Sequence, residues 1–312
     1  MKIVLFGNSR FALPSLHALA QSSMLAGLCT TDAADEETLK IQWMCKQAGV
    51  PLLAINRQEM DTKLPAWLRE INPDVAFVLT FSYKLPPSIL AIPPMGFFNF
   101  HFAKLPEYRG PQPIFWEFVN GEKEGAVAVH KMDDKFDSGP LAIMEKVPIL
   151  PTDTYGIHVS KVSFCAIGVM QRLIERLADP NGLSLAEQDH DRAAYYKRPG
   201  ETDVIVDWEN FDSSRINALV KACNPWNKGA FSATGQLFLR ILDVSFSSFP
   251  VQEKALPGEV ISVAPDGIHV ACRDRKALKI DIIYMDEGFL PGSRLLELGV
   301  KKGDLFIKPQ KG

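Results

Sequence analysis

Three polar side chains in this sequence are of types that together perform acid–base chemistry. An amide and an imidazole lie two residues apart in the stretch 97–102, which reads Phe-Phe-Asn-Phe-His-Phe. Side chains alternate between the faces of a strand, so Asn99 and His101 share one face, about 7 Å apart, while three phenylalanines anchor the other. Asp137 follows in the stretch 136–140. An amide, an imidazole and a carboxylate supply an oxyanion donor, a base and a group that orients the base.

A plainer interpretation of Asn99 and His101 is that they lie on a solvated strand face, since a motif match is only a hypothesis. The next segment favours the catalytic interpretation. Residues 105–111 read Leu-Pro-Glu-Tyr-Arg-Gly-Pro. The two prolines fix φ, and Gly110 permits backbone conformations that are closed to other residues. Stiff loops at strand ends are where α/β folds carry functional groups.

Composition limits the class of protein. The chain has 312 residues, 46% of them hydrophobic and 23% charged, which predicts about two domains with sizeable cores. The formal net charge of −3 indicates no global basic field of the kind typical of nucleic-acid binding, although a local basic patch stays possible.

The five cysteines are scattered and form no CxxC pair. This pattern predicts reduced thiols in a cytoplasmic protein, with neither a disulfide partner nor a metal site. The N-terminal residues run directly into a predicted strand, without the pattern of a signal peptide. No apolar run reaches the roughly 20 residues of a membrane span, so no membrane association is predicted.

The order of elements predicts an α/β domain followed by a small β-barrel. A buried strand at 3–6, a glycine turn and a helix begin a doubly wound, mostly parallel sheet. The turn lacks a GxGxxG fingerprint, so a dinucleotide is not predicted. A strand at 204–208 and later short strands predict an OB-like barrel. We therefore expect a catalytic domain at 1–204 and a barrel domain at 205–312.

Six motifs in a fixed order resemble those of the 10-formyltetrahydrofolate-dependent formyltransferases, most closely the methionyl-tRNA formyltransferases. They are Phe-Ala-Leu-Pro-Ser-Leu at 11–16, Asn-Phe-His at 99–101, Leu-Pro-Glu-Tyr-Arg-Gly at 105–110, the segment 132–139, Asn-Pro-Trp at 224–226 with Gly-Ala-Phe at 229–231, and Pro-Gly-Glu-Val at 257–260. The resemblance covers nearly the whole chain. It implies a Rossmann-like N-terminal domain and an OB-like C-terminal barrel.

The resemblance also implies a mechanism in which an acceptor amine attacks the formyl carbon of 10-formyltetrahydrofolate. Asn99 would donate a hydrogen bond to the developing oxyanion. His101 would act as the general base or a second donor, and Asp137 would hold the imidazole and raise its basicity, directly or through a water. The formyl group on N10 is already activated, so no metal is required.

By the same resemblance, two segments bind the folate co-substrate and one loop meets the acceptor. The folate segments contain Phe81, Ser82, Tyr83, Leu85, Met132, Asp133 and Asp134. Phe81 and Leu85 could equally be ordinary core residues. Tyr108, Arg109 and Gly110 are the expected acceptor-side residues, where Arg109 either steers an anionic acceptor or braces its loop. His130 lies on a strand face, and we expect a structural role for it.

The chain departs from the family pattern in three places. Ala103-Lys104 stands where the family commonly has Ser-Leu after the catalytic histidine motif. The loop 31–37 is short and acidic, whereas methionyl-tRNA formyltransferases usually carry a longer basic loop there, and an acidic loop would repel phosphate. Asn227-Lys228 adds a residue before Gly229.

Three functions stay open from the sequence. The first is formyl transfer to methionyl-tRNA, and the second is formyl transfer to a small amine such as an amino-sugar nucleotide. The third is a non-catalytic folate- or RNA-binding module on the same scaffold. A basic cluster in the second domain could contact phosphate, but a solvated charged face is the interpretation that we favour. Its members are Arg273, Arg275, Lys276 and Lys279.

Overall fold

The computed structural model describes residues 1–309, which form two compact units. The first unit comprises Met1–Pro113, Glu124–Pro148 and Val159–Tyr196. The second comprises Ile114–Lys123, Ile149–His158 and the chain from Lys197 onward. The second unit thus incorporates two short segments that come from earlier in the sequence.

A seven-stranded sheet forms the centre of the first unit, in the order β3-β2-β1-β4-β5-β6-β7. Its strands are β1 (Ile3–Phe6), β2 (Leu25–Thr31), β3 (Leu52–Ile55), β4 (Val75–Val78), β5 (Phe97–His101), β6 (Glu124–Lys131) and β7 (Leu141–Pro148). Strands β1 to β5 pair in parallel, and β6 pairs antiparallel with both β5 and β7. The predicted α/β class with a mostly parallel sheet is confirmed.

Within residues 1–309, seven α-helices connect and flank the strands. They are α1 (Leu13–Ala20), α2 (Glu36–Ala48), α3 (Lys63–Ile71), α4 (Pro87–Leu90), α5 (Pro113–Val119), α6 (Tyr155–Ala178) and α7 (Ser213–Cys223). The acidic loop after β2 serves α2: the Asp35 carboxylate accepts a hydrogen bond from the backbone N–H of Thr38 at 2.9 Å, a typical N-cap. Gly49 ends α2 with a left-handed φ of 64°.

Aromatic packing fixes the position of β5. Phe6 of β1 contacts Phe97, with ring centroids 5.3 Å apart, and Phe77 of β4 contacts Phe100 at 5.7 Å. All three phenylalanines of β5 are buried, with at most 1% of each side chain exposed. Their burial on neighbouring strands determines where the polar residues of β5 lie.

The second unit contains a closed antiparallel sheet in the order β10-β11-β12-β9-β8-β14, with β13 paired to β12. Its strands are β8 (Ala230–Thr234), β9 (Leu237–Ser247), β10 (Val260–Ala264), β11 (Gly267–Ala271), β12 (Ala277–Met285), β13 (Gly288–Pro291) and β14 (Phe306–Ile307). The N–H of Val260 donates to the Asp304 carbonyl, and the N–H of Phe306 to the Gly258 carbonyl, both at 2.8 Å. These bonds join the two ends of the sheet, as expected for an OB-like barrel.

The strand predicted at 204–208 is wrong. Val204 is the last residue of a 3-10 helix at Glu201–Val204, and at the other end the N–H of Phe211 donates to the Asp207 carbonyl at 2.8 Å and closes a turn. Only Ile205 bridges to a strand residue, Phe231 of β8. The sequence analysis also missed β13 and β14, whose four and two residues are too short for a recognisable pattern.

Helix α6 is the one helix in the described chain that is long and apolar enough to cross a membrane by length and composition. Core helices of soluble proteins pass the same test. Within the structure, 44% of the most apolar 18-residue stretch of this helix is buried. The buried positions recur at helical spacing, through Val159, Val162, Ala166, Val169 and Leu173, which is the pattern of a helix packed on a core.

Candidate active site

Asn99 and His101 lie at the carboxyl end of β5, where neighbouring loops can reach them. Strand β6 pairs antiparallel with this end, and its register places His130 directly opposite Asn99. Asp137 lies in the loop from β6 to β7 and has a left-handed φ of 53°, which is uncommon for a residue with a side chain. The fold brings Asn99, His101 and Asp137 together, with His130 as a fourth member of the cluster.

Two glycines allow the loops to approach Asp137. Gly110 has a φ of 107°, and a Cβ there would lie 2.1 Å from the Tyr196 carbonyl oxygen. Its backbone N–H donates to Oδ2 of Asp137 at 2.9 Å. A Cβ on Gly139 would lie 1.8 Å from the Lys131 carbonyl oxygen. The glycines of both motifs are therefore required by close backbone contacts.

The ring of His101 is oriented by the backbone. Its Nε2 lies 2.6 Å from the Tyr108 carbonyl oxygen, which can only accept, so Nε2 carries the proton of the neutral ring. The bare Nδ1 then lies 3.6 Å from Oδ1 of Asp137, beyond a direct hydrogen bond but close enough for strong attraction once the ring is protonated. The structure thus assigns the orientation of His101 to Tyr108 rather than to direct hydrogen bonding by Asp137.

Burial and charge act in opposite directions on this pair. Burial lowers the pKa of His101 below its ordinary value of 6.5, and the attraction of Asp137 offsets part of that effect. Burial also opposes the charge of Asp137, but attraction to His101 and the Gly110 hydrogen bond hold its pKa well below 3.8. At neutral pH the pair is a carboxylate beside a neutral imidazole.

His130 orients the Asn99 amide. Nδ1 of His130 lies 3.3 Å from the Lys131 carbonyl oxygen and donates to it, so Nε2 accepts from Nδ2 of Asn99 at 3.2 Å. The second Asn99 N–H makes a longer contact of 3.4 Å with Oδ1 of Asp137. His130 is 2% exposed. Sequence analysis gave it a structural role; strand pairing of Asn99 with His130 is the signal that could have placed it in the cluster.

Gln188 joins the two loops of the cluster and was not singled out in the sequence. Its Nε2 donates to the carbonyl oxygens of Asp137 at 3.0 Å and Gly139 at 2.7 Å. Its Oε1 accepts from Nη2 of Arg109 at 2.7 Å. Arg109 also contacts Nδ1 of His190 at 3.0 Å. Of the two roles considered for Arg109, these contacts correspond to bracing the loop.

The side chains expected to bind folate divide into an apolar group and a polar group. Phe81, Tyr83, Leu85 and Met132 pack in one cluster, in which the Phe81 and Tyr83 rings meet edge to face at 5.6 Å. Leu85 is 2% exposed and is part of the core.

The polar group lies in the adjoining loops. Oγ of Ser82 accepts from Nδ2 of Asn8 at 2.5 Å. The Asp133 carboxylate accepts from Oγ of Ser138 at 2.9 Å, and Asp134 is exposed. Tyr108, expected on the acceptor side, is buried and stacks on Tyr196 at 5.1 Å.

All five cysteines are free thiols. Burial raises the pKa of Cys223 to about 12, as expected for an inert core thiol. Within residues 1–309, no group of three or more His, Cys, Asp or Glu side chains is arranged to hold a metal ion.

Comparison with known proteins places both parts of the chain. A family model described as formyl transferase matches residues 1–174, and one for the formyl transferase C-terminal domain matches residues 200–288. A methionyl-tRNA formyltransferase of Citrifermentans bemidjiense is 31% identical over 87% of this chain and 85% of its own. One of Geobacter metallireducens is 28% identical over 97% of this chain and 99% of its own.

Among solved structures, a sugar 3N-formyl transferase, WlaRD, with dTDP and 5-N-formyl-THF present, has a TM-score of 0.65 at 16% identity. The match covers 89% of this chain and 96% of that one. HypX from Aquifex aeolicus with tetrahydrofolic acid has a TM-score of 0.62 at 18% identity, over 97% of this chain and 48% of that one. At such identities these structures establish the shared fold, while the two family models and the curated relatives establish that this chain belongs to the formyl transferase family.

Proposed function

We propose that this formyltransferase moves the formyl group of 10-formyltetrahydrofolate to the amino group of methionyl-tRNA, using Asn99, His101 and Asp137. The observation that carries the proposal is their convergence on one atom: Oδ1 of Asp137 lies 3.4 Å from Nδ2 of Asn99 and 3.6 Å from Nδ1 of His101. An amide donor, an unprotonated ring nitrogen and a carboxylate thus meet at one point, as acyl transfer to an amine requires.

Each residue has one task in this proposal. Nδ1 of His101 accepts the proton that the amine loses as it attacks the formyl carbon. It returns this proton to N10 as the bond between N10 and the formyl carbon breaks, which releases tetrahydrofolate and leaves His101 neutral again. The Asp137 carboxylate stabilises the resulting imidazolium, whose Nε2–H remains bound to the Tyr108 carbonyl. Nδ2 of Asn99 donates to the formyl oxygen as negative charge develops there. Of the two contacts that Nδ2 of Asn99 makes, the longer one, to Asp137, is the contact that the formyl oxygen would replace.

The surrounding residues suit a folate donor. A pterin is a flat ring with polar edges, and the Phe81, Tyr83 and Met132 cluster offers apolar surface beside the polar side chains of Ser82 and Asp133. The donor supplies an activated formyl group when bound. We therefore propose Phe81, Ser82, Tyr83, Leu85, Met132, Asp133 and Asp134 as its binding segments.

Two observations concern the acceptor. The curated relatives matched over most of their length are named for methionyl-tRNA, which supports initiator methionyl-tRNA as the partner and a cytoplasmic location. The basic cluster around Arg273 and Lys279 gives less support to a tRNA acceptor. Arg273 donates to the Asn210 carbonyl, and Lys279 pairs with Asp281 at 3.1 Å, so their charges are already engaged. A small amine on a nucleotide sugar is therefore the second candidate.

The test offers 10-formyltetrahydrofolate with two kinds of acceptor, charged initiator tRNA and a panel of amino-sugar nucleotides. We expect formyl label on the methionyl-tRNA. Label on a sugar alone would replace the first candidate by the second. His101→Ala should lose at least 100-fold in turnover, whereas the surface variant His17→Ala should match the wild type. Equal turnover by both variants would remove His101 from the mechanism.

A further inference from the structure

The second unit contains a cavity of about 410 Å³. Its walls include Trp226, Asn227, Phe231, Arg240 and Glu201, none of which belongs to the cluster around Asp137. Sites for small molecules in proteins typically occupy about 300–1,000 Å³ and combine apolar walls with a few polar groups. This cavity has that size and that composition.

The guanidinium of Arg240, which lines this cavity, packs against an aromatic ring. Arg240 lies on β9, opposite Phe231 of β8 and Tyr284 of β12, and its guanidinium carbon is 5.4 Å from the Phe231 ring centroid. Among residues 1–309 it forms no ion pair and no hydrogen bond, and its Nη1 is fully shielded without an acceptor. A partly buried guanidinium without an acceptor is costly, whereas an anion with several oxygens would satisfy it.

Other cations of the same unit show the contrast. Arg275 donates to two backbone carbonyls, Arg294 pairs with Glu297 at 2.6 Å, and Lys308 pairs with Asp207 at 3.2 Å. These cations have acceptors within the protein. Arg240, although less exposed to water than they are, has none in the described chain.

The aromatic walls offer surfaces for a flat ring. Phe231 lies nearly parallel to Phe238, at 6.2 Å and 20°, and Phe238 is 60% exposed. Trp226 is half-buried, meets Phe115 edge-on at 5.7 Å and donates its indole N–H to the Ala222 carbonyl. Aromatic side chains beside an arginine are the combination on which nucleobases stack.

We propose that this cavity binds a nucleoside 5′-monophosphate unit, with its phosphate at Arg240 and its base against the aromatic walls. The unit could come from a free nucleotide or from the end of a single-stranded RNA, since both present the same phosphate and base. The proposal does not depend on formyl transfer, because it concerns binding by residues of the second unit.

Calorimetric titration of the full-length protein with adenosine 5′-monophosphate tests the proposal. We expect the nucleotide to bind at least 10-fold more tightly than adenosine or inorganic phosphate alone. Arg240→Met should weaken binding at least 10-fold, and Trp226→Phe less. The matched control Arg294→Met, which removes a surface arginine of the same unit, should leave it unchanged.

Arg240→Lys keeps the charge but loses the fork of donors, so its affinity should lie between those of the wild type and Arg240→Met. Unchanged thermal midpoints would show that these variants fold. The proposal would be overturned if the titration showed no heat of binding at nucleotide concentrations up to the millimolar range. Equal affinity of the wild type and Arg240→Met for the nucleotide would also overturn it. His101→Ala should lose formyl transfer and retain nucleotide binding, which separates this test from that of the catalytic function.

The source of the nucleotide is resolved by a second arm. A short single-stranded RNA that displaces the monophosphate, with higher affinity and the same Arg240 dependence, identifies an RNA end. A monophosphate that binds as tightly as the RNA identifies a free nucleotide or nucleotide sugar. Displacement that is equal in the wild type and Arg240→Met would contradict the assignment of the phosphate to Arg240.

Discussion

At the scale of single residues, the site depends on which nitrogen of each histidine carries a proton. In each ring, the protonated nitrogen is the one that faces a backbone carbonyl. The Tyr108 carbonyl faces Nε2 of His101, and the Lys131 carbonyl faces Nδ1 of His130. His101 is left with a basic Nδ1 beside a carboxylate, and His130 with a basic Nε2 that accepts from Asn99. The two rings are close together but have opposite tautomers, so they can perform different tasks.

The acid limb of the pH profile should follow His101, which must be neutral to accept a proton. Burial lowers its pKa, so kcat/KM should hold to below pH 6.5 and then fall as the ring protonates. Asp137 raises the pKa of His101; Asp137→Asn should therefore move the acid limb to still lower pH while reducing the rate. A limb that moves upward in this variant would contradict the electrostatic assignment.

His130 should act through Asn99 and not through contact with substrate. In His130→Phe the Asn99 amide loses its acceptor, so kcat should fall about 10- to 100-fold with little change in KM. His130→Gln can accept at a similar place and should recover part of the loss. Steady-state kinetics of the two variants would test this, and equal kcat values for wild type and His130→Phe would exclude a positioning role.

At the scale of elements, the candidate active site is formed by a strand end and two loops that the buried side-chain amide of Gln188 holds together. Asp137 has a left-handed backbone and Gly110 has a φ of 107°, which residues with side chains rarely adopt, and neither loop is part of the sheet. Gln188 bonds to both, through the Asp137 carbonyl and the Arg109 side chain. Such a bond fixes loop geometry that the sheet alone cannot determine.

Replacing Gln188 by methionine should lower stability and activity together. The variant keeps the volume but leaves two carbonyls without their donor, which costs about 1–3 kcal/mol for buried groups. We expect a lower free energy of unfolding in urea and a fall in kcat that exceeds any change in folate KM. Gln58→Met, at an exposed position, is the control. If both variants unfold at the same urea concentration, the hydrogen bonds of Gln188 contribute nothing to the stability of the protein.

At the scale of the whole molecule, charge is balanced and not concentrated. The net charge is −3 over 312 residues, and several cations of the second unit are paired internally. The acidic loop after β2 is likewise engaged: Asp35 caps α2, and Glu37 accepts the backbone N–H of Arg10 at 3.0 Å. Long-range attraction should therefore contribute little to the binding of an anionic acceptor.

The balance of charge predicts that kcat/KM with methionyl-tRNA as acceptor decreases only weakly as the salt concentration rises. Each neutralised phosphate adds a slope of roughly 0.7–0.9 in a logarithmic plot of affinity against salt. Because the net charge is negative, we expect kcat/KM between 50 and 200 mM salt to fall with a slope of about 2–4. A slope near 8 would show a phosphate-contacting surface that the pairing of charges argues against, and no slope would favour a small amine.

Many strands of the first unit could be predicted, because the hydrophobic patterns that indicate them lie within a few neighbouring residues. The fully buried strand β1 and the apolar strand β4 follow from continuous hydrophobic runs, and the Phe-Asn-Phe-His alternation defines the polar face of β5. The segment 204–208 was mispredicted for a similar reason: its β-branched residues favour a strand, but a 3-10 helix ends at Val204 and a turn begins at Asp207, which leaves only an isolated bridge at Ile205.

The sequence by itself determined the α/β class, the closing barrel and the types of the reactive groups, because periodicity, turn residues and motif order are encoded within a few neighbouring residues. Only the tertiary structure decided which groups meet. The pairing of His130 with Asn99, the Gln188 bridge and the unpaired charge of Arg240 depend on strand register and on loops distant in sequence. Such contacts leave no local pattern, since their partners are chosen by packing.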